Sequence, residues 1–157
     1  MLIQFQEYLT LENIYLWTTL GIFPFWILII ILPVSKITQF FVNSIILPLI
    51  LSVAYSYVIY QSILLDETIS DLFGLYLGLD NLYTILSTES FLVFFWLHFL
   101  TLNIFLGSWI SRDGAKYNVS RSIMFFPLIL VYFMGPIGLV LYWIMRVFFA
   151  KRLSFHD

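Results

Sequence analysis

Four stretches of this 157-residue chain, 13–35, 37–65, 90–111 and 122–145, contain no Asp, Glu, Lys or Arg. About 20 consecutive apolar residues cross the hydrocarbon core of a bilayer as a helix, so each stretch is long enough to cross. Transmembrane strands would alternate apolar and polar residues, whereas Ile27, Leu28, Ile29, Ile30, Ile31 and Leu32 run without interruption. With 62% hydrophobic and only 10% charged residues, the chain also lacks the polar surface that a water-soluble globule needs. The expected fold class is all-α: one polytopic transmembrane domain over residues 1–157, a bundle of four transmembrane helices near 12–33, 38–61, 90–111 and 122–149.

All five prolines, Pro24, Pro33, Pro48, Pro127 and Pro136, lie in or at the ends of these apolar segments. An interior proline removes one helix hydrogen bond, and a membrane offers no water to replace it. Gly135-Pro136-Ile137-Gly138 sits in mid-segment and predicts a kinked fourth helix. The linker 62–89, with Asp66, Glu67, Asp71 and Asp80 around apolar Leu72 to Leu79, reads as a solvated acidic loop carrying an interfacial helix. The first segment follows Glu7 and Glu12 with no base before it and is longer than a signal-peptide core, so it is expected to stay in the mature protein. Orientation is poorly specified under a four-span count. Lys36, Arg112, Lys116 and Arg121 would lie on one face, and Arg146, Lys151 and Arg152 on the other.

The absence of cysteine removes disulfides, thiolate metal ligands and cysteine nucleophiles together. One histidine in a span, His98, and one in the tail, His156, make a poor metal set, so no metal and no other cofactor is expected. A net charge of −2 offers no polybasic face for nucleic acid. The expected partners are membrane lipid, a hydrophobic ligand dissolved in it, and further copies of the chain or subunits of a membrane complex.

The third segment carries His98 and Asn103 in its interior and Glu89 at its start. Polar groups at membrane depth are costly and mark function by default. Helical phase places Glu89, Trp96 and Asn103 on one stripe and His98, Leu102, Phe105 and Trp109 on another roughly opposite. His98 suits proton transfer, and equally suits interhelical hydrogen bonding to a carbonyl. Asp113-Gly114 reads as a turn after the helix. Arg146 either snorkels to the interface or pairs with a carboxylate such as Glu89 or Asp113. Aromatic residues make up 20% of the chain, which supplies both interfacial belts and the walls of a slot for a long apolar ligand. Trp26, Trp96, Asn103, Phe105, Trp109 and Arg146 are the candidate lining residues.

The run Glu89, Trp96-Leu97-His98, Asn103-Ile104-Phe105, Gly107-Ser108-Trp109-Ile110, Asp113-Gly114 and Gly135-Pro136-Ile137-Gly138, with Phe23-Pro24-Phe25-Trp26 and Leu32-Pro33 earlier, resembles the neoxanthin synthase (abscisic-acid-deficient) family of plants and its bacterial relatives. The resemblance implies a carotenoid-metabolism protein of a bacterial inner membrane, or of a plastid membrane in a eukaryote. It implies a redox-neutral isomerisation of the kind that converts the epoxide violaxanthin into allenic neoxanthin. Such a reaction needs a base for a carbon-bound proton and an acid for the epoxide oxygen. By matching position, the resemblance carries Glu89, His98 and Asp113 over as catalytic candidates. The family pattern has an acid five residues after the histidine, where this chain has Asn103, and an amide is no base. Three readings stay open: an isomerase of a carotenoid or apocarotenoid, a binding protein for a carotenoid, retinoid or quinone, and a small structural subunit of a membrane complex.

Overall fold

The computed structural model describes residues 8–62 and 72–150, and all regular structure among them is helical. Glu7, Asp66, Glu67, Asp71, Lys151, Arg152 and His156 lie outside the described residues. In chain order the elements are α1 (Leu11–Ile31), α2 (Lys36–Phe41), α3 (Ile46–Tyr60), a 3-10 helix (Leu72–Tyr76), α4 (Leu79–Leu86), α5 (Glu89–Lys116), α6 (Arg121–Met134) and α7 (Pro136–Ala150).

Among the described residues, three helical segments are long and apolar enough to cross a membrane: Leu11–Ile31, Lys36–Tyr60 and Glu89–Lys116. The second is paused between α2 and α3, at residues 42–45. Pro48 accounts for the pause, because its ring would collide with the carbonyl of Ser44 and is tolerated only in the first turn of a new helix. Pro24, by contrast, sits inside an unbroken α1.

The fourth apolar segment is two helices of 14 and 15 residues, not one kinked span. The interruption falls at Gly135, as Gly-Pro predicts, but it reverses the chain instead of bending it. In a straight helix Met145 would lie about 33 Å from Ile123, yet Ile123, Phe126, Leu141 and Met145 line one cleft. Two glycines permit the reversal. Gly135 adopts φ +39°, a region costly for side-chain-bearing residues. Gly138 lies where a Cβ would come 2.7 Å from the Pro127 carbonyl oxygen, so α7 packs on the backbone of α6.

The third span also ends later than the sequence predicts. Asp113-Gly114 is helical, and the turn comes afterwards at Asn118, with φ +54°. Gly114 is a packing glycine: a Cβ there would stand 2.5 Å from the Met124 methyl of α6. In the linker, Phe73, Tyr76, Leu79 and Tyr83 are strongly exposed, the pattern of an amphipathic interfacial segment.

The chain divides into two compact units, one of Met1–Gly21 with Leu49–Thr101 and one of Ile22–Pro48 with Leu102–Asp157. The first has a core of Ile14, Val58, Val93 and Leu97. In the second, Trp26 is 2% exposed and its ring meets the edge of Tyr132, with centroids 5.4 Å apart.

Candidate functional site

In the first unit, a cleft of about 410 Å³ is lined by Glu12, Tyr15, Glu89, Leu92, Val93, Phe95 and Trp96. Both carboxylates lie in the first turn of their helices, α1 and α5, where the positive end of the helix dipole favours negative charge. Trp96 is fixed on two sides. Its indole N–H donates to Thr19 Oγ1 at 2.8 Å, and its ring stacks on Phe99 with centroids 5.4 Å apart. Tyr15 leans on the same indole at 5.9 Å. The cleft thus presents aromatic and aliphatic walls with two carboxylates among them.

His98 does not join that cleft. It is nine residues beyond Glu89, about half a turn round the helix, and its side chain is exposed on the outer surface, with the Tyr55 ring 6.2 Å away. The expectation of a buried imidazole is therefore corrected: the side chain is exposed. Phe105 shares the exposed side of α5. The helical phase separated the two stripes correctly, but the stripe carrying His98 is the outward one.

The second unit gathers Asp113, Arg146 and the rings around them. Arg146 Nε donates to Asp113 Oδ2 at 2.7 Å, with side-chain exposures of 2% and 12%. Arg146 Nη2 donates to the Tyr117 hydroxyl at 3.3 Å, and the Tyr142 hydroxyl donates to the same Asp113 oxygen that Arg146 Nε reaches. The guanidinium lies 5.0 Å from the Tyr117 ring centroid and 5.6 Å from that of Trp143, and Trp109 meets Tyr142 edge-on at 5.6 Å. Of the alternatives open for Arg146, the structure selects pairing with Asp113. A carboxylate so fully engaged is an anchor for α7, since breaking a buried pair leaves a bare charge.

Asn103 is 6% exposed, and its Nδ2 has no hydrogen-bond partner among the described residues. Its Oδ1 lies 2.6 Å from where a Cβ on Gly135 would stand, so the amide closes over the turn between α6 and α7. Trp26 fills the notch at Gly107, where a Cβ would come 2.6 Å from the indole. Among the described residues no group of three or more His, Cys, Asp or Glu could hold a metal ion.

The structure therefore unites Glu89 with Trp96, Asp113 with Arg146 and Trp109 through Tyr142, and leaves His98 and Phe105 outside both groups. Sequence reasoning missed Tyr15, Tyr117 and Tyr142, and read Glu12 only as a charge before a span. A signal was present: Tyr142 precedes Arg146, and Trp109 precedes Asp113, by four residues each, which puts each aromatic on the same helical face as its charge.

Fold and site together define a polytopic helical membrane protein with little polar surface and a carboxylate-bearing apolar cleft. Residues 13–142 match the family model described as ABA DEFICIENT 4-like, and the chain belongs to that family. Protein ABA DEFICIENT 4, chloroplastic, of Arabidopsis thaliana is 27% identical over 118 residues, which cover 69% of this chain and 53% of the relative. The chain thus spans about half the length of the curated relative it matches. No solved structure matches it.

Proposed function

We propose that the protein is an intramembrane isomerase of an oxygenated carotenoid or apocarotenoid, and that the cleft at Glu12, Tyr15, Glu89 and Trp96 receives the oxygen-bearing end of the polyene. The observation that carries this reading is the cleft itself: it joins Glu89 and Trp96, both singled out on chemical grounds, in an apolar, ring-lined space opening beside two carboxylates. Membership of the ABA DEFICIENT 4-like family, and the likeness to neoxanthin synthases drawn from the motifs of α5, supply the substrate class. In such a rearrangement a C–H bond and an epoxide C–O bond break, a new C=C bond forms, and the oxygen gains a proton. Composition and oxidation state are unchanged, so the step needs only a proton acceptor and a proton donor.

Glu89 is assigned proton transfer, and Trp96 and Tyr15 hold the end ring. Asp113 and Arg146 position α7. The exposure of His98 on α5 supports a role in which the imidazole meets a polyene carried in the hydrocarbon. The bacterial inner membrane or a plastid membrane is the setting, both being sites of pigment synthesis.

The test is expression in a carotenoid-producing host with pigment analysis. The expected result is a product of the same mass as its precursor, lost on Glu89→Gln by a factor of about 100 to 10,000, the usual range for removing a general acid or base. His98→Ala measured in parallel decides whether the imidazole takes part. Unchanged pigments from a protein present in the membrane would refute isomerisation.

Asn103 favours a second reading. It is an amide where the family pattern has an acid, and it is buried over the α6–α7 turn, which suits a protein that holds a pigment without converting it. A purified, coloured protein that releases its pigment unaltered would establish that reading over the first.

A further inference from the structure

A single crossing by the last apolar segment would split the bases between the two faces, whereas a segment that returns to the face it left keeps them together. Its arms, 14 and 15 residues, are about 21 and 22 Å long, short of a hydrocarbon core of about 30 Å. They run antiparallel, and backbone hydrogen bonds carry the chain through the turn between them. The Gly135 N–H donates to the Val131 carbonyl at 3.0 Å and the Leu139 N–H to the Gly135 carbonyl at 3.1 Å. Pro136 has no N–H to satisfy, and the Asn103 amide lies over Gly135. Irregular backbone at membrane depth survives only where such partners exist. Phe126, Phe133, Ile137, Val140, Ile144 and Phe148 expose apolar side chains along both arms and at the tip, as lipid contact requires.

The open end of this hairpin lies with the basic ends of the spans. Arg121 Nη1 donates to the Ile31 carbonyl at the end of α1, at 3.4 Å, and Arg146 holds Asp113 near the end of α5.

We infer that residues 121–150 form a re-entrant hairpin that enters and leaves the bilayer through the same face, so that the protein crosses the membrane three times. Every base in the sequence then falls on one side. Lys36 follows the first crossing, Arg112, Lys116 and Arg121 follow the third, and Arg146, Lys151 and Arg152 mark the hairpin's exit, seven of seven against the four-to-three split of a four-span chain. Glu7, Glu12, Asp66, Glu67, Asp71, Asp80 and Glu89, seven of the nine acids, precede the first or third crossing or lie in the linker on the opposite side. Basic residues concentrate on the cytoplasmic face of membrane proteins, which assigns the hairpin's open end to that side. The inference is independent of the proposed reaction.

The chain contains no cysteine, so single cysteines report sidedness without background. Ser122→Cys, Ser154→Cys, Asn81→Cys and Met134→Cys in the full chain, each checked for a monodisperse peak after purification, are probed in sealed membrane vesicles of known orientation with a membrane-impermeant maleimide. The expected result is labelling of Ser122→Cys and Ser154→Cys from one side and of Asn81→Cys from the other, with Met134→Cys labelled from neither until detergent is added. Labelling of Ser154→Cys from the side of Asn81→Cys would restore a fourth crossing and overturn the inference. Labelling of Met134→Cys from the side opposite Ser122→Cys would make each arm a crossing and overturn it equally.

Discussion

Replacing Gly135 with alanine tests the turn on which the α6–α7 hairpin depends. Two costs are separable. The first is conformational: at φ +39° an L-residue costs about 1–2 kcal/mol. The second is steric: the new methyl would lie 2.6 Å from Asn103 Oδ1, and overpacking of this kind costs about 1–3 kcal/mol. Gly135→Ala alone should therefore lose about 2–5 kcal/mol. Asn103→Ala removes the opposing oxygen, so in that background Gly135→Ala should retain only the conformational cost of about 1–2 kcal/mol. The difference is a coupling of about 1–3 kcal/mol, in the range found for residues in contact. Equilibrium unfolding of the four proteins in mixed detergent micelles measures it. Effects that add to within about 0.5 kcal/mol, the level expected of independent sites, would show that Asn103 does not close the turn.

Asp113→Ala should cost about 3–5 kcal/mol by stranding the Arg146 charge, whereas Asp113→Leu combined with Arg146→Met should recover most of that loss; chemical unfolding compares them. Trp96→Phe should cost about 0.5–1.5 kcal/mol for the hydrogen bond to Thr19, and Thr19→Val should add little in that background, as a double-mutant cycle would report. Gly138→Val, which forces a side chain onto the α6 backbone, should lower stability by at least about 1–3 kcal/mol, as thermal unfolding followed by circular dichroism measures.

Much of the architecture was legible because lipid imposes a simple rule: a charge-free run long enough to cross must be helical. That rule located α1 and α5, the latter correctly at its start but about five residues short at its end, and the periodicity of α5 correctly set Asn103 and His98 on different faces. It did not say which face was inward. His98 was expected inside because burial is the usual reason for a histidine in a span, whereas the packing stripe is the one carrying Asn103 and Trp96. The two glycine errors share one cause. Gly114 was read as a turn residue and Gly135 as a kink, since sequence shows a missing side chain but not the neighbour that fills its place. Met124 occupies the first and the Asn103 amide abuts the second. The pause before Pro48 was missed because a proline in a greasy run is compatible with a bend, a break or a fresh helix start. The pairing of Asp113 with Arg146 was among the alternatives, but its choice depended on the chain doubling back between Met134 and Pro136, which no local pattern specified.

The Met124–Gly114 packing has a chemical consequence. A thioether oxidised to its sulfoxide gains a polar oxygen, which would crowd the Gly114 backbone against which the Met124 side chain packs. Met124 is 7% exposed while Met134 at the tip is 53% exposed, so dilute peroxide should modify the tip first and spare Met124 for as long as the hairpin stays seated. The ratio of the two sulfoxides, read by peptide mass, is in effect a clock built into the chain that counts how often the hairpin lifts away from its support.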